Sequence, residues 1–239
     1  TEQGFPAIHH TLRCPVERAL QTMTQRIVII GAGGHAQVVA DILLRSAAHG
    51  QACQPIGYLD DNPTCHGQQR LGLPVLGPVS MLATLPHDSV IVAIGDNRVR
   101  ARLFAELKAR GEHFARAIHP TAIIAPDVVI GPGTMICAGA IVNPGSVIGA
   151  NVILNTACTV DHHNQVGDHA HLAPGVHTGG AVTIGTGALV GIGAIVMPQR
   201  RVGDWSVVGA GALVHRDVTA ETVVTGVPAQ PLYVRAVGE

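Results

Sequence analysis

The chain has 239 residues, a formal net charge of -1 and only 13% charged residues. This composition argues against a nucleic acid or an anionic membrane surface as a general partner, because there is neither a basic excess nor an acidic tail. Hydrophobic residues make up 47% but aromatic residues only 3%, so the core must be built from small aliphatic side chains. The length suits one large domain or two modest ones.

The cysteine content and the N-terminal segment favour a cytoplasmic protein. The five cysteines are odd in number and include no Cys-x-x-Cys pair, which is typical of reduced thiols. No apolar run reaches the roughly 18 residues of a membrane span, and residues 1–23 lack the apolar region of a signal peptide. We interpret residues 1–23 as an N-terminal extension. We expect Met23, just before the first predicted strand, to be the natural start and the residues before it to be non-native.

Residues 24–117 alternate predicted strands and helices, which indicates an α/β domain with a mainly parallel sheet. Apolar residues at helical spacing predict helices over residues 37–45 and 98–110, and Gly111 is a typical stop signal for the second. Continuous apolar runs predict buried strands at Ile27–Ile30, Ile56–Leu59 and Val90–Ile94.

From residue 118 onward an aliphatic residue recurs every six positions without an insertion, a period that neither an ordinary strand nor a helix has. Only Thr178 interrupts this column of seventeen positions, which runs from Ile118 to Val214. The repeat predicts a solenoid of between five and six triangular coils, a parallel β-helix, over residues 118–218. Residues 219–239 are predicted to form a C-terminal loop and tail.

A glycine turn followed by this repeat resembles the PglD/NeuD-like sugar O-/N-acetyltransferases, bacterial nucleotide-amino-sugar N-acetyltransferases that include the perosamine N-acetyltransferases. The resemblance rests on Gly31–His35, Leu59–Asp61, Ala93–Asn97, Asn155–Thr156 with Asp161–His162, and Val224–Ala229. It implies a Rossmann-like half domain followed by a left-handed β-helix; periodicity alone would not give the left hand, since right-handed crossovers are the rule. It also implies acetyl-CoA as co-substrate, no metal, and a homotrimer with active sites between subunits.

Gly31–Ala36 match the pattern G-x-G-x-x-A between a strand and a helix, where the backbone can approach a phosphate. A domain of about 90 residues is too short for a two-halved dinucleotide fold, which disfavours NAD. A turn that merely connects strand and helix is another interpretation. The resemblance implies a UDP- or GDP-linked sugar and assigns substrate contacts to Gly33, Gly34, His35, Asp60, Asp61, Gly95, Asn97 and Asn155.

The segment Asp161-His162-His163 supplies imidazoles to the predicted β-helix. Acetyl transfer to an amine needs a base that works near neutral pH, and imidazole suits this role. The resemblance places the base at His162, with Asp161 and His163 as further catalytic residues. PglD-like proteins carry an acid directly after the base; this chain has His163 there. The alternative is that these are surface histidines of a His-rich chain.

The resemblance places His171 near the acetyl-CoA thioester, where it would hydrogen-bond the carbonyl. Further coenzyme contacts, in the groove between neighbouring subunits, are assigned to Gly180, Ile192, Gly209 and Ala210. The usual Lys after Pro-Ala is Gln230 here.

Two alternative chemistries are disfavoured by the sequence. Cys137 and Cys158 lack an evident base partner, which favours direct attack in a ternary complex over an acyl-enzyme. The histidine spacing also differs from the zinc pattern of γ-class carbonic anhydrases, which share the β-helix.

The leading hypothesis is an acetyl-CoA-dependent N-acetyltransferase acting on the 4-amino group of a UDP- or GDP-linked 4-amino-4,6-dideoxy sugar. A sialic acid-type sugar O-acetyltransferase and a non-catalytic nucleotide-sugar-binding module are the alternatives. The non-catalytic module predicts that coenzyme A does not bind and that substitution of His162 is tolerated.

Overall fold

The computed structural model describes residues 24–234. The predicted extension, including Met23, lies outside these described residues, as do residues 235–239. Within residues 24–234, no helix combines the length and apolar character needed to cross a bilayer.

The N-terminal domain is a five-stranded sheet in the order β3-β4-β2-β1-β5. All neighbouring strands are parallel except the antiparallel hairpin β3–β4. Its elements are β1 (Gln25–Ile30), α1 (Gly34–Ala48), β2 (Cys53–Leu59), β3 (Gln69–Arg70), β4 (Leu73–Gly77), β5 (Ser89–Val92) and α2 (Asn97–Ala109), with 3-10 turns at Pro63–Cys65 and Val79–Ala83.

The turns that follow β1 and β5 lie side by side at the carboxyl end of this sheet. The chain leaves β1 through α1 to reach β2 on one side and later places β5 on the other side. In open α/β sheets this reversal of strand order opens a ligand crevice. Gly31 is required here, because it has a φ of 101° and a Cβ would lie 2.6 Å from the Ile94 side chain.

The hexad repeat forms one two-residue strand per hexad, and each strand pairs in parallel with the strand 18 residues along the chain. The second residue of each strand belongs to the aliphatic column, and these residues form the core of the β-helix. The strands are β6 (Ala117–Ile118), β7 (Ile123–Ile124), β8 (Val129–Ile130), β9 (Met135–Ile136), β10 (Ile141–Val142), β11 (Val147–Ile148), β12 (Ile153–Leu154), β13 (Thr159–Val160), β14 (Gln165–Val166), β15 (His171–Leu172), β16 (His177–Thr178), β17 (Thr183–Ile184), β18 (Leu189–Val190), β19 (Ile195–Val196), β20 (Arg201–Val202), β21 (Val207–Val208) and β22 (Leu213–Val214).

These strands form the three faces of a triangular solenoid. Face 1 contains β6, β9, β12, β15, β18 and β21, and is extended by β23 (Thr222–Thr225) and β24 (Gln230–Val234). Face 2 contains β7, β10, β13, β16, β19 and β22, and face 3 contains β8, β11, β14, β17 and β20. The turns between faces form three edges, which we call edge 1–2, edge 2–3 and edge 3–1.

The N-terminal domain packs on face 1 of the β-helix. The outward side chains of Met135 and Ile153 on this face are fully buried and belong to the same hydrophobic cluster as α1 residues such as Val39 and Leu43. One hydrophobic cluster therefore spans both domains, and close packing fixes their relative orientation. The predicted α/β domain followed by a parallel β-helix is confirmed.

Candidate active site

The first group of predicted catalytic residues lies on edge 2–3, in the turn between β13 and β14. His162 and His163 are exposed there, and their Nδ1 atoms are 3.0 Å apart. Two imidazole nitrogens form a hydrogen bond only if one carries the proton and the other accepts it. If His162 donates from Nδ1, its Nε2 is free to accept a proton from a substrate.

The carboxylate of Asp161 contacts the Asn143 side chain and the backbone of this turn rather than an imidazole ring. Asp161 Oδ1 accepts hydrogen bonds from Asn143 Nδ2 and from the His162 backbone N–H, both at 2.8 Å. The Asn143 bond, followed by the His162 bond, lowers the pKa of this carboxyl. Asp161 thus shapes the turn, while His163 makes the contact with the His162 ring.

Gly180 lies one coil further along the same edge and faces the His162 ring. A Cβ at this position would lie 2.6 Å from His162 Nε2 and 2.5 Å from Cε1. Real Cβ atoms do not approach other atoms so closely, so any larger residue at Gly180 would displace the ring. This residue, predicted as a coenzyme contact, provides the space that the His162 ring occupies.

A second group lies where the crevice of the N-terminal domain meets face 1. The rings of His35 and His171 are 6.4 Å apart between centroids. Asn155 Nδ2 lies 3.2 Å from His171 Nε2, and the Gly95 backbone lies close enough to His171 to raise its pKa. The structure therefore brings together four of the predicted site residues from both domains.

Both histidines of this group are neutral at neutral pH. Burial, the charge of Arg100 and the neighbouring His35 lower the pKa of His171 to about 3, against the opposing effect of the Gly95 hydrogen bond. Burial and the charge of Arg100 lower the pKa of His35 to about 4. A neutral imidazole can donate or accept a hydrogen bond here but does not add a positive charge.

His35 and its preceding glycines have the features of a ligand site. Within residues 24–234, His35 Nε2 is buried without a hydrogen-bond partner, and buried polar atoms normally have one. Gly33 and Gly34 are exposed, and a Cβ on either would meet nothing within 4 Å. Gly33 caps α1 without a side-chain hydrogen bond, so this helix N-terminus can accept an anionic group.

Arg100, on α2, is a structural residue of the site that the sequence did not reveal. Its side chain is fully buried. Arg100 donates to the carbonyls of Ile94 and Gly95 in the N-terminal domain, at 3.0 and 3.3 Å, and to those of Asn151 and His169 in the β-helix, at 3.1 and 2.7 Å. It therefore fixes the turn after β5 against the coil that leads to His171.

Two predicted substrate-binding carboxylates make hydrogen bonds that shape their own turns. Asp60 accepts from the backbone N–H of Ala32 and Asn62, at 2.7 and 2.8 Å. Asp61 accepts from the Val79 backbone N–H at 2.9 Å. Arg70, which the hairpin β3–β4 brings to this place, donates to the carbonyl of Ala32 and adds a positive charge beside the glycine turn.

Asn97 and Arg98 connect the turn after β5 to the β-helix. Asn97 Nδ2 donates to the carbonyls of Gly187 and Ala188 at 3.1 and 3.2 Å. The Arg98 guanidinium lies 4.7 Å from the centre of the Trp205 ring. A cavity of about 130 Å³ between these residues continues the crevice. Another cavity, of about 550 Å³, lies at the opposite end of the sheet, away from both groups.

The remaining predicted coenzyme contacts lie on edge 1–2. Ile192 is 62% exposed there, and Gly209 and Ala210 follow one coil further along. Nothing lies within 4 Å of the position a Cβ would take on Gly193 or Gly211. This part of the edge is thus open and rich in small residues, and Asn155 lies on the same edge two coils earlier.

The two groups lie on different parts of one protomer. Asp161, His162 and Gly180 belong to edge 2–3, whereas His171 lies on face 1 and Asn155 on edge 1–2. Within residues 24–234 no hydrogen bond joins the groups. Face 2 separates the two edges.

The buried cysteines of the β-helix are poor nucleophiles. Cys137 and Cys158 are at most 1% exposed, and burial raises the pKa of each thiol to about 12. A thiol attacks as the thiolate, so neither residue suits the role of an acyl carrier. Among the side chains that the structure describes, no three His, Cys, Asp or Glu form a metal-binding group.

Comparisons with known proteins identify relatives of both domains. Residues 26–107 match the model of the PglD N-terminal domain family. The acetyltransferase domain of PglB from Neisseria gonorrhoeae is 34% identical, with a TM-score of 0.79 over 87% of this chain and 100% of that chain. PerB from Caulobacter crescentus, in complex with CoA and GDP-perosamine, is 37% identical, with a TM-score of 0.80 over 87% and 97%.

A third solved structure, WeeI from Acinetobacter baumannii, is 27% identical, with a TM-score of 0.77 over 86% of this chain and 99% of that chain. The comparison with curated proteins found no match. The expected architecture, a Rossmann-like half domain followed by a left-handed parallel β-helix, is confirmed. The chain belongs to the PglD/NeuD-like family of bacterial sugar acetyltransferases and is an acetyltransferase.

Proposed function

We propose that this enzyme transfers the acetyl group of acetyl-CoA to the 4-amino group of a UDP- or GDP-linked 4-amino-4,6-dideoxy sugar. The observation that carries the proposal is the meeting of the crevice with the β-helix at His35 and His171. A nucleotide in the crevice would place its sugar beside face 1. Complexes of PerB with CoA and GDP-perosamine support this assignment of ligands.

The sugar nucleotide is proposed to bind between the glycine turn and the turn after β5. The N-terminus of α1, which has no side-chain cap, would hold the diphosphate, and Gly33 and Gly34 leave room for its close approach. The orphaned His35 Nε2 offers a hydrogen bond to the ligand. Asp60 and Asp61 then act mainly by holding their turns, because their carboxylates already accept backbone hydrogen bonds.

Acetyl-CoA is proposed to lie along edge 1–2, against Ile192, Gly209 and Ala210. The absence of side-chain bulk at neighbouring glycines permits an extended pantetheine arm to follow the edge. The thioester would then lie near Asn155, where the edge meets the His171 group. Gly180 lies on edge 2–3 and belongs to this site only through the His162 ring that it contacts.

We propose a homotrimer in which face 2 of each subunit points to the threefold axis. Edge 1–2 of one subunit then faces edge 2–3 of its neighbour, which brings His162 to the Asn155 and His171 of the adjacent subunit. Outward residues of face 2 support this packing, since Ile123 and Ile195 are 64% and 46% exposed in the isolated protomer. Exposed aliphatic side chains on one face commonly mark a contact surface.

In the proposed reaction, His162 Nε2 takes a proton from the sugar amine while its Nδ1 hydrogen-bonds to His163. The amine nitrogen attacks the thioester carbonyl, the C–N bond forms, and the tetrahedral oxyanion collapses with departure of the CoA thiolate. Direct transfer is supported by the raised pKa of the two buried thiols, Cys137 and Cys158.

The donor to the oxyanion is proposed to be the amide of Asn155. His171 Nε2 accepts one Asn155 N–H, and Asn155 Oδ1 accepts from the Thr156 backbone. The second amide N–H of Asn155 remains for the oxyanion. His171 then acts by orienting Asn155 rather than by contacting the thioester itself.

The test of this function is acetyl transfer to a panel of acceptors, measured by mass spectrometry. The panel contains UDP- and GDP-linked 4-amino-4,6-dideoxy sugars, their 4-hydroxy analogues and free sialic acid. Acetylation of a nucleotide-linked amino sugar alone is the expected result. Acetylation of sialic acid alone would identify the O-acetyltransferase alternative, and calorimetry without any binding of acetyl-CoA would favour the non-catalytic module.

A further inference from the structure

Thr178 is the one polar residue in the inward column of the β-helix, and its hydroxyl contacts the turn that carries His162. The side chain is only 5% exposed. Thr178 Oγ1 accepts a hydrogen bond from the Asp161 backbone N–H and donates one to the Thr159 carbonyl, both at 3.3 Å.

The backbone ladder is irregular at this point. In the neighbouring rungs of face 2, the residue after each strand donates to the carbonyl 17 positions along, as Asn143 does to Val160 at 2.9 Å and Gly179 to Val196 at 2.9 Å. Among the described residues of this face, the equivalent bond from Asp161 to the Thr178 carbonyl is missing. The Thr178 hydroxyl replaces it and so holds Asp161 out of the regular ladder.

Two further buried polar residues hold the other backbone atoms of the same turn. Ser146 Oγ donates to the Asp161 carbonyl at 2.9 Å. Asn164 Nδ2 donates to the Asp161, His162 and Gly179 carbonyls at 2.7, 3.3 and 2.9 Å. Both side chains are fully buried.

This arrangement is confined to the coils around His162. On edge 2–3 the positions equivalent to Ser146 and Asn164 are Val128 one coil before them and Val182 one coil after them. A buried polar group costs stability relative to an apolar one unless it is hydrogen-bonded. On edge 2–3, the buried polar residues Ser146 and Asn164 therefore coincide with the place where the backbone departs from the ladder.

We propose that Thr178, Ser146 and Asn164 are positioning residues that set the backbone of the His162 turn and thereby the position of the catalytic imidazole. The inference rests on the proposed role of His162 as the base. A displacement of about 1 Å at a reacting group can cost as much as 100-fold in rate. Substitutions that release the turn should thus lower kcat without weakening substrate binding.

The test is steady-state kinetics of Thr178→Val in the full chain, together with its melting temperature. Valine restores an unbroken aliphatic column, so the variant is expected to fold and to melt within a few degrees of the wild type. Its kcat is expected to fall about 10-fold or more, with KM for acetyl-CoA unchanged within twofold. Thr178→Ser keeps the hydroxyl and is expected to retain most of the activity.

The matched control is Thr134→Val, on edge 3–1. Thr134 is also fully buried, and its hydroxyl donates to the Gly149 carbonyl at 2.8 Å and accepts from the Val152 N–H at 3.1 Å. This control removes the same group far from His162, so it should lower the melting temperature and leave kcat unchanged. Ser146→Ala is a second variant of the turn, and alanine occupies the equivalent small position at Ala140.

The inference is overturned if Thr178→Val and Ser146→Ala both keep the wild-type kcat, or if Thr134→Val lowers kcat as much as they do. These outcomes are distinct from failure of the proposed function. If the wild type acetylates the amino sugar and His162→Ala does not, the function stands whatever Thr178→Val does.

Discussion

His163, the residue directly after the proposed base, places its Nδ1 3.0 Å from His162 Nδ1. A neutral imidazole can orient its neighbour by this hydrogen bond, but unlike a carboxylate it does not stabilise the imidazolium by charge. The exposed location of both rings makes the pair accessible to substitution without loss of core packing.

Replacement of His163 by Asp is therefore expected to move the acidic limb of the kcat–pH profile to higher pH. The added carboxylate favours the protonated form of its neighbour. Replacement by Ala removes the hydrogen bond without adding charge, so it should lower kcat several-fold and leave the limb where it is. Unchanged kcat in the Ala variant and an unmoved limb in the Asp variant would contradict the pairing.

Gly180→Ala is expected to lower kcat about 100-fold, because the new methyl group would displace the His162 ring. The measurement is steady-state turnover with circular dichroism to check folding. Gly139→Ala is the matched control: its Cβ would make an ordinary contact at 3.8 Å, and Ala157 takes the same left-handed conformation one coil later, with a φ of 55°. Equal effects of the two substitutions would argue against a specific role of Gly180.

Arg100→Met is expected to lower the free energy of unfolding by about 3 kcal/mol or more, because it leaves buried carbonyls of both domains without their donor. Arg100→Lys should recover only part of this loss, since an ammonium group cannot reach carbonyls on several sides as a guanidinium does. Urea denaturation measures the free energy of unfolding of both variants. A loss below about 1 kcal/mol in Arg100→Met would show that the guanidinium does not hold the domains together.

The depressed pKa values of His35 and His171 predict a loss of stability in mild acid. The unfolded residues take up a proton near pH 6.5, whereas the folded ones do so only near pH 4 and pH 3. Between these values the unfolded state binds more protons, so the free energy of unfolding falls as the pH falls below about 6.5. Above that pH neither residue contributes to the dependence.

Between pH 6.5 and pH 5, each of the two residues is expected to lower the free energy of unfolding by about 2 kcal/mol. Urea denaturation at pH 7 and pH 5 should show this fall in the wild type and a smaller one in His35→Gln and His171→Gln. The same fall in the wild type and both variants would mean that the two imidazoles are not buried in the neutral form.

The proposed trimer predicts complementation between two inactive variants. His162→Ala and Asn155→Ala would each remove one half of a site that two subunits share. Refolding a mixture of the two should therefore restore part of the activity, with a particle mass three times the 24.7 kDa of the protomer. No recovery in mixed trimers would place both residues in one subunit's own site.

The β-helix could be predicted from the sequence because the six-residue repeat is a local pattern. Neither an ordinary strand nor an α-helix has this period. The same register places His162 in a turn and His171 in a strand with its side chain outward. Distant contacts follow only partly from such patterns. The role of Arg100 depends in part on the carbonyls of Asn151 and His169, which lie 51 and 69 residues away in sequence. Arg70 reaches the glycine turn only through the unpredicted hairpin β3–β4.

Thr178 illustrates a signal that the sequence displayed but did not explain. The break in the aliphatic column was visible, yet its cause lies in the missing ladder bond at Asp161, which depends on the coil geometry. The approach of Gly95 to His171 likewise depends on how the N-terminal domain packs on face 1.

The central claim is that His162 is the base for acetyl transfer to a nucleotide-linked amino sugar. Its most direct test is the turnover of the wild type and His162→Ala with acetyl-CoA and the accepted amino sugar, at equal particle mass and equal secondary structure. The account predicts that the variant loses at least 100-fold in kcat, while acetyl-CoA still binds. Turnover near the wild-type rate in a folded His162→Ala trimer would contradict it.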